Sequence, residues 1–305
     1  MGLFSKKEKP RRRRRFRRAG RGFASAQVDR LTASFKGSGL SADGDLQSDL
    51  ARMRYRARQL AADNDYSRKF LAMVGANVVG VQGIKLQARL LNDRLEPDRN
   101  DSKKLEDLWA TWAKPGECDV TRQLSWRQVQ RQVIETVARD GEALVRLVPG
   151  YSNAFGFAVQ VLEVDYLDEN HNEVLPNGNR IVMGVEKDSW GAPVAYYLAS
   201  SHPGDYEHTF LGKKYLRIPA SEIVHAYIPD RPEQTRGVPW MNTAIRRLNM
   251  LGGLEEAELV ASRLAASKMG FFTSADGDAY LGDDTQDDGT IITEAEPGIF
   301  EQLPD

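Results

Sequence analysis

The chain is poor in the residues from which active sites are usually assembled. Its 305 residues include one cysteine, Cys118, and four histidines, His171, His202, His208 and His225. A lone cysteine excludes a disulfide framework and a cysteine-rich zinc site. No His-x-x-x-His pair exists to hold a metal from one helix face. No run of eighteen apolar residues occurs, so no segment is expected to span a bilayer. The basic N-terminus lacks the apolar stretch of a secretory signal. Gly-x-x-x-x-Gly-Lys-Ser/Thr and Gly-x-Ser-x-Gly are both absent, which removes the phosphate-cradling loop and the nucleophile turn. His225 falls in an expected strand and reads as a satisfied structural histidine. Glu163 and Asp165 share one strand face, with no evident acid or base to work with them. Asp283, Asp284, Asp287 and Asp288 lack the alternating spacing and terminal Glu of a calcium loop and read as a solvated acidic loop. The residues therefore nominate no catalytic group, no cofactor and no metal.

What the chain does have is charge, unevenly placed. Apolar residues make up 41% and charged residues 28%, an ordinary globular mix, and the formal net charge is −1. Residues 1–22 carry three Lys and eight Arg against one Glu, whereas residues 275–305 carry ten Asp and Glu and no Lys or Arg. The basic run, Arg11, Arg12, Arg13, Arg14, Arg15, Arg17 and Arg18, repels itself and cannot build a core, so residues 1–40 read as a disordered arm. Such a run neutralises phosphates without reading sequence, which makes nucleic acid one partner to weigh. A solvated tail, or one docking on an acidic protein, is the other reading.

Beyond the arm the pattern is helical. Leu46, Leu50, Met53, Ala57 and Leu60 recur at three and four residues, with Arg52, Arg54, Arg56 and Arg58 between them. Asn64 and Asp65 interrupt, and a second helix runs through Phe70 and Val74 to end at Gly80. Ile84, Leu86 and Ala88 alternate with polar residues as a short strand would. Leu105, Leu108, Trp109 and Trp112 mark a third helix. Ser125-Trp-Arg-Gln opens a fourth with the spacing of a capping box, and Gly141 closes it. Strands follow at Ala143–Val148, Phe157–Leu167, Arg180–Glu186, Val194–Ala199 and Ile223–Ile228, the third and fourth as a hairpin around Asp188–Pro193. From Pro239 a helix of about 45 Å is expected to run from Trp240 to Lys268, weakened at Gly252-Gly253. Gly253, Ala257, Ala261 and Ala265 form a small-residue row on it, suited either to close approach by another helix or to ordinary core packing. The fold class is α+β.

Four stretches, taken in order, resemble the lambda-like family of phage portal proteins. They are RYRARQLAADNDYSRKFLAMVGANVVGVQGIKLQAR (54–89), QVIETVARDGEALVRLVP (132–149), SEIVHAYIPDRPEQTRGVPWMNTAIRRLNML (221–251) and LEEAELVASRLAASKMGFF (254–272). None is a chemical signature, and the order of all four carries the resemblance. It implies a portal-type fold with a mainly helical wing region at 41–142 and a β-rich wing and clip region at 143–236. A long stem-like helix at 237–270 and an acidic loop at 271–305 would complete it. It also implies a homo-oligomeric ring of twelve subunits at one capsid vertex, a conduit for double-stranded DNA without regard to its sequence. Terminase, capsid and scaffold proteins, and head-completion and tail proteins are the implied partners. The implied location is the virion, after synthesis in the bacterial host cytoplasm, with no membrane partner, no cofactor and no enzymatic activity. The row Gly253, Ala257, Ala261, Ala265 would then pack between subunits, and Arg246, Arg247 and Arg263 would face DNA, a neighbour or solvent. Family members continue past the point where this chain stops, so a C-terminal region is expected to be missing. Two other readings compete. One is a non-ring nucleic-acid adaptor acting through the basic arm, and the other is a hydrolase with an unfamiliar site.

Overall fold

The computed structural model describes residues 30, 37, 39–205, 214–266, 270–273 and 300–303. The chain divides into two units, Met1–Ser41 and Ala42–Asp305. Of the first only residues 30, 37 and 39–41 are described, so the basic run Arg11–Arg18 lies outside the described residues, as does the acidic cluster from Asp276 to Asp288.

The second unit opens with α1 (Ala42–Gln47), α2 (Leu50–Asp63) and α3 (Asp65–Val78). The break between α2 and α3 has a local cause, because the Asn64 side chain caps α3 by accepting from the Ser67 N–H at 3.0 Å. Beyond α3 the chain turns at Gly80, whose φ of 72° suits glycine. The expected strand at residues 84–89 does not form. Its backbone is satisfied by side chains instead: Gln130 bonds both the N–H and C=O of Ile84, and Glu106 accepts from the Ala88 N–H. The alternation was present, but no strand lies within reach to use it. A two-residue ladder, β1 (Leu90–Leu91) with β2 (Pro97–Asp98), leads into α4 (Arg99–Trp112).

The helix α5 (Trp126–Asp140) starts at the expected capping box, with Gln128 accepting from the Ser125 N–H at 2.8 Å. It ends at Gly141, φ 95°. Next come β3 (Glu142–Pro149) and β4 (Phe157–Leu162), and with β10 (Ile223–Tyr227) they form a three-stranded antiparallel sheet in the order β10-β3-β4. A five-stranded antiparallel sheet follows in chain order: β5 (Glu173–Val174), β6 (Arg180–Val182), β7 (Val185–Lys187), β8 (Pro193–Ala199) and β9 (Tyr215–Pro219). Two expected strands are shorter than the apolar pattern suggested. Phe157–Leu167 stops at Leu162 and bends through a 3₁₀ turn at Val164–Tyr166, carrying the chain from one sheet to the other. Arg180–Glu186 is cut by Met183 and Gly184, both at positive φ (47° and 84°), which make a two-residue hairpin turn.

The strand β3 is buried on both faces, and the side-chain alternation of a strand divides its residues between two cores. Leu144 joins Val164, Leu167, Val185, Tyr196, Leu198, Ile218 and Ile223 between the sheets. Val145 and Leu147 face the other way, against Trp109, Trp112, Trp126, Cys118 and Val129 from the α4–α5 side. The three tryptophans touch one another with ring centres 4.9–5.7 Å apart, and the Trp112 indole N–H donates to the Phe157 carbonyl at 3.0 Å.

The last long helix, α6 (Ile245–Ala266, 22 residues), spans about 33 Å at 1.5 Å per residue. It begins later than Pro239 because residues 240–244 form turns over the end of α5, where the Trp240 N–H donates to the Ala138 carbonyl at 3.1 Å. It runs unbroken through Gly252 and Gly253. Its root packs on α2 through Ala57, Leu60, Met241, Ile245 and Leu248. From Asn249 to Ala265 every residue except Gly252 is exposed. The strands β11 (Gly270–Thr273) and β12 (Phe300–Leu303) pair in parallel. No helix among the described residues is long and apolar enough to cross a membrane.

Candidate functional site

Where α2, α5, β3, β10 and the loop before α6 meet, the chain buries a connected set of charges. At its centre is Glu142, the first residue of β3, with no solvent exposure. Its Oε1 accepts from Arg54 at 3.1 Å and Arg236 at 2.9 Å, and its Oε2 accepts from the Gly237 N–H at 3.0 Å. The His225 Nε2 lies 2.8 Å from the same Oε2. Burial alone would raise this carboxyl's pKa, but Arg236, His225 and Arg54 reverse that and hold it well below the usual carboxylate range.

The network extends from Glu142 through alternating signs. Arg54 also donates to Asp165 at 2.8 Å, and Arg58 reaches the other Asp165 oxygen at 2.5 Å. Arg58 grips both oxygens of Asp140, at 3.1 and 3.0 Å, and Arg139 does the same from the next residue. Burial opposes ionisation of Asp165, yet Arg54 and Arg58 hold its pKa below the ordinary value. Arg54 and Arg58 are four residues apart on α2, so one helix face delivers both guanidiniums, while Arg52 and Arg56 point to solvent.

Arg236 ties this network to the sheets. Besides Glu142, its guanidinium donates to the carbonyls of Leu167 and Met183, at 3.0 and 3.1 Å, and of Val164 at 3.3 Å. All three of its nitrogens donate, and Nη2 also lies 2.7 Å from Glu142 Oε1, the kind of satisfaction a fully buried guanidinium requires. The preceding residues of the loop are held as firmly. Thr235 bonds Asp43 of α1 through its N–H (2.7 Å) and hydroxyl (2.5 Å), and Gln234 donates to the Arg236 carbonyl. Gly141 and Gly237 cross in direct backbone contact, and a Cβ on either would collide with the other segment's main chain. The direction in which α6 leaves the body is therefore set by ion pairs, hydrogen bonds and a glycine–glycine crossing.

Other sequence-marked residues fall as follows. His225 is the structural histidine it was read as, in contact with Glu142. Glu163 and Asp165, seen in the sequence without a partner, meet Arg58 and His202; donor atoms of Glu163, Asp165 and His202 lie within 4.8 Å of one another. Arg58 brings a positive charge to that cluster, 3.9 Å from Glu163 and closer to Asp165. Gly253, Ala257, Ala261 and Ala265 lie along α6, all exposed, with nothing among the described residues within 4 Å of a Cβ placed on Gly253. Ordinary core packing within the described part of the chain is thus not what the row serves. Sequence reasoning missed Arg54, Glu142 and Arg236 as a unit. The available signals were an arginine in line with Leu50 and Ala57, and the Asp140-Gly141-Glu142 triplet at a helix–strand junction.

The network offers no open cleft, and its charges neutralise one another. It is a joint, and comparison with known proteins says what the joint belongs to. The family model described as "Phage portal protein, lambda family" matches residues 28–305. The chain belongs to the lambda family of phage portal proteins. It is 36% identical over 290 residues to a "Probable portal protein" of Halomonas phage phiHAP-1, an alignment covering 93% of this chain and 56% of that relative. The chain thus spans little more than half the length of the curated relative it matches. Membership places it among the structural components of phage capsids, a family without enzymatic function.

Proposed function

We infer that this chain supplies the wing and stem portion of a portal subunit, and that copies of it stand side by side in a ring at a capsid vertex through which double-stranded DNA passes. In this reading residues 41–142 and 143–236 build the wing and part of the clip. Residues 237–270 form the stem helix, and 271–305 are the acidic loop at the start of the C-terminal region. Terminase, capsid and scaffold proteins, and head-completion and tail proteins would dock on the assembled ring. The single observation that carries the reading, beyond family membership, is α6: a 22-residue helix fixed at its root and solvent-exposed from Gly253 to Ala265, with Tyr66 of α3 reaching Glu255. Gly253, Ala257, Ala261 and Ala265, with Met250 and Leu254 beside them, present an apolar face that a neighbouring helix can approach closely. The basic arm, Arg11–Arg15 with Arg17 and Arg18, contacts DNA phosphates in this reading, independently of base sequence.

The test is negative-stain electron microscopy of the purified chain, with mass photometry on the same sample. Closed rings with a central hole are the expected result. Monomers from this chain and from one extended to the relative's full length would sink the ring. Deleting residues 1–22 separates the adaptor reading: a portal subunit still assembles, and an adaptor loses its nucleic-acid function while never assembling.

A further inference from the structure

A groove of about 530 Å³ runs between α2 and α6, and nothing among the described residues fills it. Its floor is apolar, from Leu60, Ile245 and Leu248, and its polar rim carries Arg56 and Arg246 against one carboxylate, Asp63. Gly252 and Gly253 form part of its α6 wall, and a Cβ on either would meet nothing within 4 Å. Two adjacent glycines inside a helix weaken it, and here no contact among the described residues explains them. They leave backbone exposed for a close neighbour. Arg56 and Arg246 are exposed and have no carboxylate partner among the described residues, in contrast to the fully paired arginines a few residues away.

The complementary surface is on the same chain. At 100° per residue, Leu251, Leu254 and Glu258 lie roughly half a turn from the groove side of α6. Leu251 and Leu254 are 37% and 58% exposed, and Glu258 is exposed with no cationic partner among the described residues. One edge of the helix therefore offers apolar residues with the carboxylate of Glu258, and the other an apolar-floored groove whose two guanidiniums outnumber its one carboxylate, Asp63. Two different, matching patches on opposite sides of one element are what a head-to-tail contact that closes into a ring requires. Opposite charge at the rim sets partner orientation more than it sets affinity.

We propose that the α2–α6 groove receives the Leu251–Leu254–Glu258 edge of α6 from a second copy of this chain, with Glu258 meeting Arg56. The contact rests on the ring reading above and specifies which surfaces meet. The experiment is a charge swap read by mass photometry at low salt, with Arg56→Glu, Glu258→Arg and the double variant. Each single variant weakens assembly by about tenfold or more, and the double restores it. Both sites are exposed, and unchanged circular-dichroism melting shows that the monomer is intact. As a second measurement, the Arg56→Cys/Glu258→Cys variant forms an oxidation-dependent ladder of covalent oligomers, which neither single cysteine variant gives. A wild-type chain that assembles while the single charge variants assemble equally well, or the double fails to recover, overturns this contact and leaves the ring standing. Monomers both of this chain and of one extended to the relative's full length, with no ladder from the cysteine pair in either, overturn both.

Discussion

The root of α6 and the rest of α6 treat their side chains in opposite ways. At the root, polar and charged groups are removed from water, and almost every one finds its partner inside the chain: Glu142 with Arg54, Arg236 and His225, and Asp140 with Arg58 and Arg139. About 14 to 23 Å further along the helix, by the α-helical rise, Leu254, Leu259 and Val260 stand in solvent at 58%, 61% and 49% exposure. Burying a charge without a partner is too unfavourable to leave to a later encounter, so the chain completes that part itself. Exposed apolar surface carries a smaller penalty per residue and can wait for a neighbouring molecule. One end of the helix is finished by folding; in the proposed ring a neighbouring copy finishes the other.

The largest effect that would test this contrast comes from the hub. Glu142→Gln leaves Arg54 and Arg236 facing each other without a carboxylate and is expected to destabilise the monomer by about 3–5 kcal/mol, measured by urea melts. A loss under about 1 kcal/mol would erase the distinction between the two ends, since it would make the network dispensable.

Glycine-to-alanine changes sharpen the contrast, because the same substitution should have opposite signs at the two ends. At Gly237 the added Cβ meets the Gly141 backbone and should cost a few kcal/mol of stability. At Gly253 the Cβ meets nothing within the chain, and alanine should stabilise the monomeric helix by about 0.5–1 kcal/mol. Thermal melts of both variants under conditions that keep the chain monomeric decide the matter. Destabilisation by Gly253→Ala would show that this glycine serves the fold and not the partner.

The smallest effect is the most selective. Glu142 and Asp165 have pKa values held below their ordinary 4.5 and 3.8, so their contribution to stability is fully present above the unfolded values. It is lost as pH falls through and below about 4.5 toward the folded values. Monomer stability should therefore be insensitive to these two groups from about pH 5 to 8 and decline progressively in acid. In Glu142→Gln that acid-dependent part should shrink. An unchanged acid slope would remove Glu142 from the account.

Much of the fold was legible before the structure. The helices at α2 to α5, their glycine stops and the capping box at Ser125 follow from rules acting over three or four residues. The hairpin of β7 and β8 was visible for the same reason, and His225 was read as structural and is so. Where the reading failed, the deciding contact was distant in sequence. The alternating residues 84–89 became no strand because Gln130 and Glu106 took their backbone groups. The helix expected from Pro239 begins at Ile245 because the chain first has to cross the end of α5.

The sequence by itself determined the periodicity of these elements, the family that their order resembles, and the extreme charge of the two termini, because each is written in neighbouring residues. Only the tertiary structure decided which of four alternating arginines go inside. Arg54 is buried and Arg58 half-buried because Glu142, Asp140 and Asp165, some 80 to 110 residues away, neutralise them. Arg52 and Arg56 stay in water because no carboxylate among the described residues is brought to them. Charge is fixed by composition, but the free energy of burying it depends on what long-range packing places beside it.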